Sequence, residues 1–411
     1  MRVLFLTYHF PTPKEAGAGR PWTTAGLLQE LGHEPIVVTA GTHYMTGEDI
    51  RRDRSGLWST EDVDGFRVIK TYAPPDYRRS LARRALNYAA FAVGALLAGM
   101  RQNNIDAVLM ATDPMFIMPV GFILSKLKRV PLMLDERDVY PDTAVVLGVL
   151  TSARLIRALE AWHGFVRRRA QSILAATPGI KRLLVAKGTD PSKIFVLQNV
   201  RPASFTLLGD GRAREIRVRH EWDTKFVVLY SGNFGQANDI WTILKAAQLL
   251  RDRFPEIRFV FIGAGEKGKE YTAFCRAMDL DNVEFLAAKP WPELRGYLAA
   301  ADLTVHAFPD KAFWDCALPT KIFDYLAAGK PVVFAGRGDT ADLIAAAGAG
   351  QASEPGNPVA FAEAVARLSQ GPETVREMGA RGHRYLIEHF SDRRLQATMH
   401  AAVAALQRAT S

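Results

Sequence analysis

The chain has 411 residues, 48% hydrophobic and 23% charged, which is enough apolar material for large cores and too much chain for one compact domain. A formal net charge of +9 favours phosphate-rich partners or an anionic membrane face. There is no zinc knuckle, RNA-binding aromatic sheet motif or long basic tail, so no nucleic-acid partner is expected.

Cys275 and Cys316 offer neither ligand spacing nor a disulfide framework, which fits a reducing, cytoplasmic compartment. The nine histidines form no ligand spacing such as H-E-x-x-H, so no structural metal is expected. The opening MRVLFLTYHF lacks a basic n-region and a small-residue cleavage site and reads as a first strand.

Apolar runs near Val3–Thr7, Pro35–Val38, Phe66–Thr71, Ala107–Ala111, Leu132–Leu134, Ser172–Ala175 and Ile194–Leu197 predict strands, most of them separated by helical patterns. Gly17-Ala18-Gly19 is no dinucleotide fingerprint. It lies beyond a long loop, Trp22 replaces the third glycine, and Val37-Val38-Thr39-Ala40 ends without an acid. Gly17 to Arg20 suits a flexible loop facing a cleft.

Arg78, Arg79, Arg83 and Arg84 cluster ahead of the apolar stretch Ala85 to Met100, which is short for a transmembrane span of about 20 residues. A helix lying on an anionic membrane and a buried crossover helix both fit. Asp135-Glu136-Arg137-Asp138-Val139-Tyr140-Pro141-Asp142 packs four carboxylates and an arginine just past a strand. It reads either as a solvated loop of ion pairs or as a cleft wall in which Asp138 or Asp135 binds or deprotonates an acceptor hydroxyl, with Arg137 holding them.

The alternation restarts after Asn199-Val200-Arg201-Pro202, with strands near Phe226–Tyr230, Arg258–Ile262, Asn282–Leu286, Leu303–Ala307 and Pro331–Phe334. Two parallel-sheet α/β domains follow. Pro202 to Asp223 is charged with little periodicity and takes the boundary, giving domains 1–201 and 202–389, with the last helical segment (about 390–411) crossing back to the first.

Three loops of the second half carry candidate chemistry. Tyr230-Ser231-Gly232-Asn233-Phe234-Gly235-Gln236 follows a strand, as a plain turn or as backbone open to an anion. Gly263-Ala264-Gly265-Glu266-Lys267-Gly268 matches the dinucleotide pattern formally, with Glu284 downstream, but on the wrong strand of its half; Lys267 contacting phosphate fits better. In Pro319-Thr320-Lys321, with Asp324 one turn inside and Gly329-Lys330-Pro331 closing, an ordinary helix and a nucleotide-binding helix mouth fit equally.

Taken in order, LFLTYHFPTPKEAGAGR, LDERDVYPDTAVVLGVL, ATPGIKRLLVAKG, YSGNFGQANDI, FIGAGEKGKE and PTKIFDYLAAGKPVV resemble the retaining glycosyltransferases of family four, over nearly the whole chain. Within it the chain is similar to capsule and O-antigen transferases, in particular the fucosaminyl transferase group. The resemblance implies the GT-B fold, two facing Rossmann-like domains with an interdomain cleft. It also implies transfer of a sugar from a nucleoside diphosphate donor, with uridine ahead of guanosine, to a lipid-linked or glycan acceptor in surface polysaccharide synthesis.

Carried across by position, Gly17, Gly19 and Arg20 lie over the donor phosphates, Gly232, Asn233 and Gly265 near the diphosphate, and Lys267 against it. Pro319, Thr320 and Lys321 form the helix mouth, Asp324 holds the ribose, and Asp138 stands on the acceptor side. The nucleotide sugar is a co-substrate and no cofactor is implied. The family's two glutamates eight positions apart correspond to Cys316 and Asp324, with Asp315 beside the first as a candidate substitute. Asn233-Phe234 stands where an arginine often follows the loop glycine. A nucleotide-sugar epimerase and a non-catalytic nucleotide-sugar-binding subunit are the alternatives.

Overall fold

A computed structural model of the chain describes residues 1–12, 19–43, 47–75, 80–200 and 210–408. Gly17, Arg78, Arg79 and the residues around the expected 201/202 boundary lie outside the described residues. The chain divides into two units, Met1–Asn199 with Asp392–Ser411, and Val200–Ser391.

The first unit is an eight-stranded sheet. Its strands are β1 (Arg2–Leu6), β2 (Glu34–Ala40), β3 (Trp58–Val63), β4 (Phe66–Thr71), β5 (Ala107–Ala111), β6 (Leu132–Glu136), β7 (Ser172–Ala175) and β8 (Ile194–Val196). They lie in the order β3-β4-β2-β1-β5-β6-β7-β8. Central strands such as β5 are buried along their whole length, which is why they read as continuous apolar runs.

The sheet is not purely parallel, because β3 runs antiparallel to β4. Sequence patterning misses β3, whose WSTEDV has one fully buried residue. What specifies it is the turn that follows: Asp64 and Gly65 both take positive φ, 49° and 89°, as a tight two-residue hairpin turn requires.

The second unit has β9 (Phe226–Asn233), β10 (Ile257–Ala264), β11 (Val283–Leu286), β12 (Leu303–Ala307), β13 (Val332–Ala335) and β14 (Gly350–Ser353). The order is β11-β10-β9-β12-β13-β14, and every pair is parallel. The chain reverses its direction of travel across the sheet between β9 and β12, so the carboxyl ends of those two strands form the topological switch point. β14, with sequence GQAS, has no apolar run to detect.

Within the charged stretch Pro202 to Asp223, Asp210–Arg219 is a helix of the second unit. Ile216 and Trp222 are buried, and Arg217 donates to the carbonyls of Trp222, Lys225 and Ala300 at 2.9, 2.6 and 2.7 Å. Few apolar residues and one well-bonded arginine hold it, which leaves little periodicity to read.

The final helix, Asp392–Arg408, buries Leu395, Met399, Ala402, Val403 and Leu406 in the core of the first unit with Val3, Phe5 and Leu174. Among the described residues no helix is long and apolar enough to cross a membrane. Met399 is fully buried, so Met399→Ala should cost about 2–5 kcal/mol, read as a lower urea midpoint. An unchanged midpoint would mean that this helix contributes nothing to the core.

Candidate functional site

In the second unit the switch point is built from β9, β12 and the helix Thr320–Ala327. That helix buries Ile322, Phe323, Tyr325, Leu326 and Ala327, so its outer residues are held in fixed places. The Tyr325 hydroxyl accepts from the Ser231 amide at 2.9 Å and ties the helix to the end of β9. Lys321, in the first turn, thereby reaches over Gly232.

Its ammonium donates to the Tyr230 hydroxyl at 2.9 Å and to Asn238 Oδ1 at 3.4 Å, and lies 4.2 Å from the Tyr230 ring centre. Tyr230 in turn donates to the Asn233 carbonyl at 2.9 Å, which Asn238 Nδ2 also reaches at 3.0 Å. Burial pushes the Lys321 ammonium down to about 7, with Asp324 pulling the other way.

Beneath it His306 is fully buried, its ring stacked between Tyr230 and Phe334 at 6.2 and 5.8 Å. Neither ring nitrogen has a hydrogen-bond partner among the described residues. Burial, then the Lys321 charge, holds His306 well below its ordinary pKa, so it is neutral.

The glycines answer a need for close approach. Gly232 has φ +140°, and a Cβ there would stand 2.7 Å from Lys321 Nζ. A Cβ at Gly265 would meet Asn233 Oδ1 at 2.6 Å. The loops after β9 and β10 are zipped together by Phe234 N to Ala264 O at 2.9 Å and Lys267 N to Phe234 O at 3.0 Å. The result is backbone and one ammonium presented at a strand end, the chemistry of an anion site.

Pro319 and Thr320 stand at the mouth of the same helix. Asp324 is one turn inside and 6% exposed. The half-buried Lys267 makes no side-chain hydrogen bond or ion pair among the described residues. Cys316 Sγ donates to the Phe313 carbonyl at 3.1 Å in a short turn that also contains Asp315. Glu284 accepts from Trp222 Nε1 at 3.0 Å and lies 2.9 Å from His220 Nδ1, so it braces the helix Asp210–Arg219 and takes no part in this site.

In the first unit, Asp135 and Arg20 are bonded to each other. Asp135 is fully buried; Arg20 Nε and NH2 donate to its Oδ1 at 2.8 and 2.6 Å, and Arg137 Nε donates to Oδ2 at 3.0 Å. Burial alone would raise its pKa, but the two guanidiniums hold the carboxyl below the usual range. Both oxygens of Asp135 are thus taken up by arginines, and the residue has no exposure. Arg20 is equally well bonded, its NH1 donating to the Leu197 carbonyl at 2.5 Å. Gly19 caps the helix Arg20–Glu30.

Asp138 differs from Asp135. It is half-buried with no side-chain hydrogen bond among the described residues, and burial, then Asp113, raises it to about 6 against the pull of Arg137. Asp113, just past β5, was not singled out by sequence. It faces Arg137 NH1 at 3.6 Å, and the signal was available: a carboxylate directly after an apolar strand. A carboxyl poised near 6 can exchange a proton with a hydroxyl. Glu136 is buried against Arg167 at 2.8 Å and accepts from Thr112 Oγ1 at 3.1 Å.

The helix Leu81–Met100 has an inward and an outward face. Inward, Phe91, Ala95 and Ala98 are buried, Gly94 meets Thr71 and Gly99 meets Leu124. Outward, Leu86 (60% exposed), Val93 (59%) and Met100 form a row at helical spacing, with Arg83 exposed and Arg84 half-buried near its start.

Residues 22–200 match the family model described as "Glycosyl transferase 4-like domain", and residues 212–385 match "Glycosyl transferases group 1". The chain belongs to the GT-B glycosyltransferases of the GT4 type. It is 22% identical over 345 residues to an Escherichia coli chain described as a colanic acid biosynthesis glycosyl transferase, covering 80% of this chain and 82% of that one. Anabaena HepE in complex with UDP-glucose has the same fold at a TM-score of 0.73, 15% identical, covering 98% and 100% of the two chains. Sucrose-phosphate synthase of Thermosynechococcus elongatus matches at 0.76 and 16%, covering 99% of each.

The acidic wall of this glycosyltransferase should declare itself in stability. Because folding raises the Asp138 pKa, its charge destabilises the folded state at pH 7, and that cost shrinks as the pH falls below about 6 and is nearly gone at pH 4, close to the ordinary carboxyl value of 3.8. Asp138→Asn should therefore raise the unfolding midpoint at pH 7 and leave it unchanged at pH 4. Equal gains at both pH values would mean that the carboxylate's charge is not the cause.

Proposed function

We propose that this glycosyltransferase moves a sugar, with retention of anomeric configuration, from UDP to a lipid-linked or glycan acceptor in surface polysaccharide synthesis. The observation that carries this reading is the glycine-lined, cationic strand end at the switch point of the second unit, beneath a helix mouth with Asp324 one turn inside. Phosphates suit the backbone and the cation, and a carboxylate at that depth suits a ribose.

In the reaction the bond from the anomeric carbon to phosphate breaks and a bond to the acceptor oxygen forms on the same face. The acceptor proton passes to the departing phosphate. Lys267 and the amides of Thr320 and Lys321 offset the charge that develops on the diphosphate, so no metal is required. Asp138 orients the acceptor hydroxyl. UDP is favoured because the HepE structure holds UDP-glucose, and surface polysaccharide because the Escherichia coli relative is described under colanic acid biosynthesis. The resemblance of the motifs to capsule and O-antigen transferases supports a hexosyl or N-acetylhexosaminyl group.

The enzyme works at the inner face of the cell membrane, where the exposed row Leu86, Val93 and Met100 with the arginines of its helix start contacts anionic lipid. Replacing Arg78, Arg79, Arg83 and Arg84 by glutamine should reduce sedimentation with anionic liposomes severalfold at physiological salt. Undiminished binding would assign the contact to another surface.

The function is tested with radiolabelled UDP-sugars and a membrane lipid extract. Label should enter the lipid fraction with the donor's anomeric configuration. Asp324→Ala should weaken UDP binding by about tenfold or more. Unchanged UDP affinity would defeat the ribose assignment, and conversion of the sugar without acceptor would make the protein an epimerase.

A further inference from the structure

Lys321, a half-buried cation, is set apart from the inward-facing arginines among the described residues. Arg20, Arg137 and Arg167 each face a carboxylate at 2.6–3.0 Å. Lys321 has no carboxylate within ion-pair distance among the described residues, and its hydrogen-bond acceptors are a phenol and a carboxamide. A desolvated ammonium served by neutral acceptors is costly to keep charged.

Its surroundings are also specific. From β9 it faces Tyr230 and the backbone of Gly232, from the following loop Asn238, from β12 the neutral His306, and from its own helix Asp324, one turn on. Among the described residues Asp324 is the acid that acts on it, without a hydrogen bond from the ammonium. Gly232 is compatible with this place because it has no side chain: a Cβ would stand 2.7 Å from Nζ and 3.0 Å from Cε. The ammonium is thus held against open backbone at the carboxyl end of β9, with charge to spare for an anion.

We propose that Lys321 is a further catalytic residue, whose ammonium receives the donor's diphosphate at Gly232 and neutralises it as the sugar departs. This rests on the nucleotide-sugar reading and adds to it a named cation, one supplied by the helix Thr320–Ala327 where the loop after Gly232 has Asn233-Phe234 and no arginine. Lys267, half-buried like Lys321, stands second to it because it lies in the loop after β10 and not over Gly232.

The account links binding to a proton. In the empty site burial leaves Lys321 near half-charged at neutral pH, and a diphosphate beside it favours the charged form. Nucleotide binding therefore takes up a proton from solution at and above pH 7. The nucleotide's own phosphate titrates near about 6, so uptake measured above pH 7 belongs to the protein.

The test is calorimetric titration of the full chain with UDP, between pH 7 and 9, in pairs of buffers of different ionisation enthalpy. The expected result is uptake of about half a proton at pH 7, rising toward one by pH 8, with affinity falling by up to about tenfold per pH unit above that. Lys321→Arg should keep UDP binding but lose both the uptake and the pH dependence, a readout that a purely structural lysine would not move. Lys321→Met should bind UDP about tenfold to a hundredfold more weakly. Tight UDP binding without proton uptake, or a Lys321→Met variant that binds as well as the parent, overturns the proposal and leaves the nucleotide-sugar reading standing. A parent chain that binds neither UDP nor any UDP-sugar overturns both.

Discussion

A lysine ammonium pressed against a bare glycine is the constraint around which the second unit is arranged. Lys321 can lie over Gly232 because that residue has no side chain, because Tyr230 offers its hydroxyl from the same strand, and because Tyr325 fixes the helix to Ser231 at 2.9 Å. The doubly wound order of the sheet then puts this contact at the end of β9, beside β12. Without that order the same residues would be an ordinary helix start.

The first unit handles buried charge in the opposite way. Arg20, Asp135 and Arg137 satisfy one another, and Glu136 is matched by Arg167 and Thr112. Such closed networks bind the sheet together. Asp138 and its neighbour Asp113 are the carboxyls at this strand end whose pKa values are raised, and they mark where proton chemistry can occur. The contrast between closed and open charge separates scaffold from site in both units.

Much of this was legible in the sequence, because parallel strands buried on both faces are long apolar runs and the alternation restarts in the second half. β3 and β14 were missed, since one is an edge strand set by its hairpin turn and the other is four small or polar residues paired through backbone. The acidic cluster after β6 was visible, but not which acid was free to act. Asp135 is closed off by Arg20, 115 residues away, and sequence spacing carries no trace of that bond. Likewise PTKIFDYLAAGKPVV reads as a helix mouth, yet the approach of Lys321 to Gly232 exists only once β9 and the helix are side by side.

The helix Leu81–Met100 also shows how one sequence can meet two demands. Its inward small residues, Gly94 and Gly99, let it lie close against Thr71 and Leu124, while its outward row stays apolar. The central claim concerns the second unit, and a crystal structure with UDP bound tests it most directly. The account expects the diphosphate within hydrogen-bond reach of Lys321 Nζ and the backbone at Gly232, with the ribose hydroxyls on Asp324. UDP lodged elsewhere, with Lys321 still bonded to Tyr230 and Asn238 alone, would contradict it.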